Sequence, residues 1–273
     1  MKTLYISDLD GTLLNNETQI SEKSIEILNS LIEKGMAFTY STARTSATAP
    51  IITKGLNIKL PVILMNGVCI YDAIKKEYIK AEIISENAVN NVISLLKNHN
   101  TDCFVFNIEK NTMNTFYKRL STKYMRAFHD ERVLKFNKTF IKTESLEKIN
   151  NVIYFSIFNK KSSLEGLYNE LKCISEIEVS FYRDTYNTDL WYLEIASHTA
   201  SKYNSAKYLK ETYGFPKLVG FGDNLNDIPL FEACDECYAV KNAKSELKEI
   251  ATGIIEENSD DGVALYLKSI DKD

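Results

Sequence analysis

The sequence predicts an α/β protein with a Rossmann-like core, built on a parallel sheet, and an inserted α+β cap domain. Three observations predict this fold class. Apolar runs alternate with amphipathic helical stretches at the start of the chain and again near its end. These runs stop at small polar or acidic residues, as the carboxyl ends of parallel strands do when one edge of the sheet carries the function. A middle segment of different character separates the two parts.

The first predicted strand is the apolar run Leu4–Ile6, which is followed by two aspartates and a glycine, Gly11. Side chains alternate along an extended segment, so Asp8 and Asp10 are expected to point the same way. Two carboxylates held together repel each other unless a proton or a cation lies between them. The simpler interpretation, an acidic surface turn, is weakened by a second acidic cluster late in the chain.

The first part of the chain continues with helix and strand signals. Ser21 is a predicted N-cap, and apolar residues recur at helical spacing from there up to Gly35. The predicted elements are a helix from Ser21 to Gly35, a strand over Met36–Tyr40 that ends before Thr42, a short polar helix before Gly55, and a strand over Val62–Met65 that ends at Asn66.

The middle segment, from about Glu82 to Ile195, is richer in aromatic and basic residues. The regular succession of strands that each stop at a small polar or acidic residue, as in the first part, does not continue there. Its own apolar runs predict a separate core. We therefore predict residues 1–82 as the first part of the core, 83–195 as the cap and 196–273 as the second part of the core. The predicted cap elements are a helix over Glu86–Asn98, a strand over Asp102–Asn107, a basic helical stretch near Tyr117–Phe128, a strand over Asn151–Phe158, a helix over Ser162–Ile174, and strands over Glu178–Tyr182 and Trp191–Ile195.

The last segment returns to the first pattern. A helix opens at Ser201 and is stopped by Gly214, and a strand over Lys217–Phe221 ends in a loop, residues 222–227, that contains Asp223 and Asp227. Two strands that both end in carboxylates indicate one sheet with a shared acidic edge. The remaining predicted elements are a helix through Leu230, a strand over Cys237–Val240, a helix over Ser245–Ala251 and a closing helix from Asp261.

Composition limits the class of protein. With 273 residues, 44% of them apolar, the chain can bury a full core. Its net charge of −4 argues against general affinity for nucleic acid or anionic membranes. No apolar stretch approaches the roughly twenty residues that cross a bilayer, and no cleavable apolar leader precedes the first strand. We predict a cytoplasmic protein with no nucleic-acid or membrane partner and no evident obligate protein partner.

Four segments resemble, in order and in spacing, the motifs of the haloacid dehalogenase superfamily. They are residues 8–14 (DLDGTLL), residues 42–44 (TAR), Lys202 and residues 222–227 (GDNLND). The late stretch from Asn242 to Val263 resembles the Cof-type branch, which carries a large α+β cap of the C2 (IIB) type before the lysine. The resemblance covers the core, whereas the cap matches in size and position. Where the family has glycine, this chain has Ala43, which costs little unless the backbone there needs a positive φ.

The resemblance implies a phosphatase that hydrolyses small phosphomonoesters, such as sugar phosphate-like metabolites. Asp8 would be the nucleophile that forms an aspartyl-phosphate, and Asp10 the general acid and then the general base. Thr42 and Lys202 would bind the phosphoryl group and stabilise its charge. The predicted contacts to phosphate or substrate are Leu9, Thr12, Thr42, Ala43, Arg44, Asn66, Lys202 and Asn226.

Magnesium is the predicted cofactor. Three carboxylates together with a dianionic phosphate need a hard divalent cation that prefers oxygen ligands. By resemblance, Mg²⁺ is held by the Asp8 side chain, the Asp10 carbonyl and Asp223, while Asp227 orients the ligands. The periodic ligands of an EF-hand calcium loop are lacking.

Two other functions stay open at this stage. A phosphotransferase or phosphomutase uses the same aspartyl-phosphate but passes the phosphoryl group to a second substrate. A non-enzymatic phospho-acceptor of the receiver type also groups acidic residues, a threonine and a lysine around an aspartate. Such a receiver is far shorter, has no inserted domain and does not need Asp10.

Overall fold

The computed structural model describes residues 2–136, 138–184 and 187–271. The chain divides into two compact units, a core unit of Met1–Lys80 with Ser201–Asp273 and an inserted unit of Ala81–Ala200. The predicted cap, residues 83–195, lies inside the inserted unit, and the outer limits predicted for the core, Met1 and Asp273, lie outside the described residues.

Helices and strands alternate through the core unit, while strands predominate in the inserted unit. In chain order the elements are β1 (Thr3–Ser7), α1 (Glu22–Glu33), β2 (Ala37–Tyr40), α2 (Ala49–Ile52), β3 (Val62–Leu64), β4 (Cys69–Asp72), β5 (Glu77–Ala81), α3 (Glu86–Asn98), β6 (Phe104–Glu109), β7 (Thr112–Tyr117), α4 (Lys123–Phe136), β8 (Phe140–Lys142), β9 (Val152–Asn159), α5 (Lys161–Leu171), β10 (Ile177–Arg183), β11 (Trp191–Ser197), α6 (Lys202–Thr212), β12 (Lys217–Gly222), α7 (Ile228–Ala233), β13 (Glu236–Val240), α8 (Ser245–Ile250), β14 (Gly253–Ile255) and α9 (Gly262–Ile270).

A parallel sheet with the strand order β14-β13-β12-β1-β2 forms the centre of the core unit. The register sets Ser7, the last residue of β1, opposite both Phe221 and Tyr40. The segments that follow β1, β2 and β12 therefore begin side by side at one edge of the sheet. This architecture confirms the predicted α/β fold with a parallel core.

Helices cover the two faces of this sheet. On one face, Leu4, Ile6 and Leu218 pack with residues of α6 and α7, such as Leu209 and Leu230. On the other face, α1 packs beside α9. There Phe221 and Tyr238 of the sheet contact the ring of Tyr266 in α9. Each fully buried Leu, Ile or Phe contributes about 1.5–3 kcal/mol, so the cluster holds the strand ends in fixed positions.

One predicted strand of the parallel sheet is placed differently. β3 pairs with β4 in an antiparallel manner, within a three-stranded sheet of order β3-β4-β5. A single parallel bridge, Ser41 with Ile63, joins β3 to the end of β2. β3 therefore runs parallel to β2, as predicted, but it is not a full strand of the parallel sheet. The turn at Met65–Gly67, where all three φ angles are positive, reverses the chain and pairs β3 with β4.

The inserted unit contains a second sheet, with the order β10-β11-β9-β6-β7-β8. Its pairs are antiparallel except for β7 with β8. Apolar side chains of α3 and α5 pack on this sheet and give the unit a core of its own. The predicted helix near 117–128 was wrong in position, because Thr112–Tyr117 is strand β7 and the helix, α4, begins only at Lys123.

None of the five cysteines, all of which lie in the described ranges, forms a disulfide. Across residues 2–136, 138–184 and 187–271, no helix combines the length and the apolar character that crossing a bilayer requires.

Candidate active site

Three strands of the parallel sheet bring the predicted catalytic segments together. Asp8 directly follows β1, and its N–H donates to the Phe221 carbonyl of β12 at 2.9 Å. Thr42 follows β2, and its N–H donates to the Ile63 carbonyl at 3.0 Å. Asp223 follows β12. Because ligands bind outside the carboxyl ends of strands in such sheets, this edge is the candidate active site.

Lys202 lies at the centre of this edge and is only 1% exposed. Its Nζ donates to Oδ1 of Asp8 at 2.6 Å, to Oδ1 of Asp227 at 2.7 Å and to the Ser41 carbonyl at 3.2 Å. Lys202 is the first residue of α6, whose N-cap Ser201 accepts a hydrogen bond from a backbone N–H of the first turn. The start of one helix therefore delivers a buried cation to two carboxylates.

Charge pairing keeps this lysine ionised. Burial alone lowers the pKa of the Lys202 ammonium, because a low-dielectric surrounding disfavours a charged group. The carboxylates of Asp227 and Asp8 outweigh that effect and raise the pKa of Lys202 above its ordinary value. The lysine is thus a fixed positive charge at neutral pH.

Asp227 is fully buried and uses both carboxylate oxygens within the core unit. Oδ1 accepts from Lys202, and Oδ2 accepts from the backbone N–H groups of Asp223 at 2.9 Å and Asn224 at 3.1 Å. A Cβ on Gly222 would lie 2.7 Å from the Cβ of Asp227, so only glycine fits there. Asp227 therefore holds both the lysine and the loop that carries Asp223.

Asp8, Asp223 and Asp227 form an acidic group in which one oxygen of each lies within 4.8 Å of the others. Burial raises the pKa of Asp8 well above its ordinary value despite Lys202, and the Asp227 and Asp223 charges add to that rise. Burial and the Asp227 charge also raise the pKa of Asp223 to about 6. Carboxylates crowded together in this way fit a hard divalent cation such as Mg²⁺, whose charge offsets their mutual repulsion.

Asp10 and Arg44 form a bidentate ion pair. Nε of Arg44 donates to Oδ2 of Asp10 at 2.8 Å, and its second guanidinium nitrogen donates to Oδ1. The Asp10 side chain is 48% exposed, whereas Asp8 is buried. The charge of Asp10 is close enough to contribute to the raised pKa of Asp223. Arg44, a predicted substrate contact, is therefore paired with Asp10, the predicted acid–base residue.

The Thr42–Arg44 segment follows the end of β2. Oγ1 of Thr42 accepts a hydrogen bond from the backbone N–H of Arg44 at 3.2 Å, and Thr42 is fully buried. Ala43, a described residue, does not have a positive φ. Alanine in place of the glycine of the resembling motif therefore brings no backbone strain.

The loop after Asp8 packs against Asp223. Leu9 is buried, and its carbonyl accepts the N–H of Thr12 at 3.2 Å. The Thr12 hydroxyl donates to Oδ1 of Asp223 at 3.0 Å. Thr12 was predicted to bind phosphate, but in the structure its hydroxyl binds a carboxylate. Gly11 has a φ of +79°, and a Cβ there would lie 2.5 Å from Oδ2 of Asp223. Glycine is required at this position.

Asn66 and Asn226, two further predicted substrate contacts, meet at the same edge. Nδ2 of Asn226 donates to Oδ1 of Asn66 at 3.2 Å. The backbone N–H of Asn66 donates to the Thr42 carbonyl at 2.9 Å. The structure therefore brings every predicted site residue to one end of the core sheet.

Sequence reasoning missed three groups at this edge. The Ser41 carbonyl binds Lys202, and a backbone carbonyl carries no side-chain signal. Asn242 and Asn258 donate side-chain N–H groups to the carbonyls of Gly11 and Leu14. Asn242 lies in the late stretch that resembles the Cof-type branch, and this resemblance was the only feature of the sequence that pointed to a role for Asn242.

A family model of haloacid dehalogenase-like hydrolases matches residues 5–267 of the chain. The chain belongs to this family. The match spans both parts of the core as well as the inserted unit, and it confirms the family predicted from the four motifs.

Relatives of this haloacid dehalogenase-like hydrolase match over nearly its whole length. A Bacillus subtilis protein named as a phosphatase is 26% identical over 300 residues, covering 99% of this chain and 100% of its own. A 5-amino-6-(5-phospho-D-ribitylamino)uracil phosphatase of the same organism is 25% identical over 267 residues, covering 97% and 94%. A crystal structure from Thermotoga maritima has a TM-score of 0.81 at 22% identity and covers 100% of this chain and 99% of that one. That likeness shows a shared fold.

Proposed function

We propose that this chain is a Mg²⁺-dependent phosphatase that hydrolyses small phosphomonoesters through an aspartyl-phosphate on Asp8. The observation that carries the proposal is the buried Lys202 ammonium, 2.6 Å from Asp8 and 2.7 Å from Asp227, with Asp223 in the same acidic group. A carboxylate nucleophile, a fixed cation and a cation-binding carboxylate pair are the groups that phosphoryl transfer requires.

Asp8 starts the reaction in this proposal. One carboxylate oxygen of Asp8 forms a bond to phosphorus while the bond from phosphorus to the ester oxygen breaks, and the electron pair leaves on that oxygen. The 2.6 Å hydrogen bond from Lys202 fixes the orientation of the carboxylate. Burial of Asp8, which is 4% exposed, excludes bulk water that would compete for the phosphoryl group.

Asp10 moves the protons. As general acid it gives a proton to the departing ester oxygen, and as general base it takes one from the water that attacks the aspartyl-phosphate. That second attack breaks the bond between phosphorus and the Asp8 oxygen and releases inorganic phosphate. The bidentate contact with Arg44 holds the Asp10 carboxylate in one orientation between these steps.

The remaining site residues stabilise charge. The Lys202 ammonium contacts Asp8, the nucleophile of this proposal, and places positive charge beside the phosphoryl group. The Thr42 hydroxyl, two residues after β2, would donate to a phosphoryl oxygen. Asp8 and Asp223 would hold Mg²⁺, with the Asp10 carbonyl as a further ligand and Asp227 orienting the set. When bound, the ion neutralises the charge between the carboxylates and the phosphate.

The substrates we propose are small phosphorylated metabolites, sugar phosphates among them. The support is the family, together with the relative named for a phosphorylated ribitylamino-uracil. A soluble, phosphorylated polyol of that kind is therefore included in the test.

The test is a phosphate-release screen on the full chain. Sugar phosphates and 5-amino-6-(5-phospho-D-ribitylamino)uracil are incubated with Mg²⁺ or with EDTA, and inorganic phosphate is measured. We expect release with Mg²⁺ and its loss with EDTA. No release from any compound, or release unaffected by EDTA, contradicts the proposal. Formation of a phosphorylated product from an added acceptor, without release of inorganic phosphate, indicates a phosphotransferase instead.

A further inference from the structure

The loop after β13, residues 241–244, contacts both loops that carry the acidic group. Nδ2 of Asn242 donates to the Gly11 carbonyl at 2.7 Å, in the loop that follows Asp8. Two residues later, the backbone N–H of Lys244 donates to the Asp223 carbonyl at 2.8 Å. One short loop therefore ties the backbone at Gly11 to the backbone at Asp223.

The Asn242 amide is held at both ends. Its Oδ1 accepts the backbone N–H of Asn258 at 3.0 Å while its Nδ2 binds Gly11. Asn258 is 7% exposed, and its own Nδ2 donates to the Leu14 carbonyl at 2.8 Å. Two asparagines that lie far from residues 8–14 in the sequence therefore fix two carbonyls of that loop.

The position of Gly11 bears directly on Asp223. A Cβ at Gly11 would lie 2.5 Å from Oδ2 of Asp223, so the backbone and the carboxylate are in close contact. The next residue, Thr12, donates its hydroxyl to Oδ1 of the same carboxylate at 3.0 Å. Any movement of Gly11 thus changes the surroundings of both Asp223 oxygens.

We propose that Asn242 is a positioning residue for the magnesium site. It holds Gly11 and Thr12 against Asp223, and so sets how the Asp223 carboxylate faces Asp8. The inference rests on the proposed function, since it assumes that these two carboxylates share the metal ion. Residues that orient metal ligands through hydrogen bonds typically contribute about 10- to 100-fold in metal affinity.

The experiment measures Mg²⁺ binding to the full chain by isothermal titration calorimetry, without substrate. The variants are Asn242→Ala and Asn242→Leu; leucine keeps the branched shape of the side chain without the amide. Asn242 is exposed, so neither change empties a buried space. Thermal unfolding followed by circular dichroism reports whether each variant folds.

Asn29→Ala is the matched control. Nδ2 of Asn29 donates to the Gly55 carbonyl at 2.8 Å, and its Oδ1 accepts the backbone N–H of Asn57 at 2.8 Å. This control loses the same two kinds of hydrogen bond in the same core unit, away from the acidic group. A loss of stability alone would affect both positions alike.

We expect the Kd for Mg²⁺ to rise roughly tenfold in both Asn242 variants and to stay at the wild-type value in Asn29→Ala. Equal Kd values in the wild type and both Asn242 variants overturn the positioning role and leave the proposed function standing. A rise of the same size in Asn29→Ala also overturns it. A wild-type chain that binds no Mg²⁺ overturns both proposals.

Discussion

Lys202 shows how the candidate site depends on single residues. One ammonium group, buried at the start of α6, serves two carboxylates and a backbone carbonyl. In a low-dielectric surrounding, such a pairing is maintained only when each charge has a close partner. Removing the lysine would leave Asp8 and Asp227 facing each other without a cation.

We expect Lys202→Met to lower the free energy of unfolding by about 3–5 kcal/mol, the range for breaking a buried ion pair from one side. Lys210→Met, in the same helix, is the control, since Lys210 pairs with the half-exposed Asp235. Such a surface pair contributes about 0–1 kcal/mol. Urea unfolding measures both. A smaller loss for Lys202→Met than for Lys210→Met would contradict this account of the site.

Asp8→Asn is expected to abolish turnover while the chain stays folded, because an amide oxygen still accepts from Lys202 but does not attack phosphorus. Asp10→Asn is expected to allow at most slow formation of the aspartyl-phosphate, since the proton donor is lost. Phosphate release and mass spectrometry of the quenched protein distinguish the two. Turnover at the wild-type rate in Asp8→Asn would exclude the covalent mechanism.

At the residue scale, the sequence predicted which residues meet but not all of their partners. Asp8, Asp223 and Lys202 were expected at one point because each belongs to a motif at a strand or helix end. The contact between Thr12 and Asp223 could not be predicted, since it depends on how two loops pack across 211 positions of sequence. The predicted roles of these residues stay predictions.

Among the elements, the turn after β3 has a strict steric requirement. Gly67 has a φ of +100°, and a Cβ there would lie 2.1 Å from the Ser201 carbonyl oxygen and 2.8 Å from the Lys202 nitrogen. These are backbone atoms at the start of α6, which cannot move without displacing the lysine. The turn and the helix start are therefore packed as one piece.

We expect Gly67→Ala to destabilise the chain much more than Gly35→Ala. Gly35 has a similar φ of +102° but nothing within 4 Å of the added carbon, so it reports only the left-handed strain of about 1–2 kcal/mol. Gly67→Ala adds the collision with backbone on top of that strain. Chemical unfolding of both variants gives the difference, and equal losses would show that the close approach is unimportant.

Periodicity predicted the elements best where one face is clearly apolar. Helix α3 spans Glu86–Asn98, as predicted, because its buried residues recur at helical spacing after the N-cap Ser85. Only Tyr124 and Met125 of α4 are buried, so no apolar stripe marked its position. The short strands β4, β5, β8 and β14 were not predicted, since a few residues of mixed polarity carry no clear alternation.

For the whole molecule, the strand order explains why motifs distant in sequence converge. β1 lies between β2 and β12, so the segments at residues 8, 42 and 223 start next to one another. The common acidic edge was predicted from the sequence because parallel strands end on the same side. The antiparallel pairing of β3 with β4 was not predicted, since the reversal depends on left-handed backbone at Met65 and Asn66, where glycine is absent.

The response to pH is a property of the assembled site. Folding raises the pKa of Asp223 from 3.8 to about 6, mainly by burial. The metal-free folded chain therefore holds a proton that the unfolded chain releases, and this group's contribution to stability falls as the pH rises between those values. Mg²⁺ binds the ionised carboxylate, so its stabilising effect grows over the same range.

We therefore expect added Mg²⁺ to raise the melting temperature more at pH 7.5 than at pH 5. Thermal unfolding with a fixed Mg²⁺ concentration at the two pH values measures this, and Asp223→Asn, which cannot ionise, is the control. In that variant the effect of Mg²⁺ should be small at both values. An equal rise at both pH values in the wild type would argue against Asp223 as a ligand.

The two carboxylates on Lys202 have a consequence for the proposed reaction cycle. When Asp8 carries the phosphoryl group, its carboxylate charge is replaced by charge on the more distant phosphoryl oxygens, but Asp227 is not modified and still faces the ammonium. The lysine therefore always keeps one anionic neighbour, whichever form the nucleophile takes. Because Asp227 stays beside it, the Lys202 ammonium can remain buried and charged through both half-reactions.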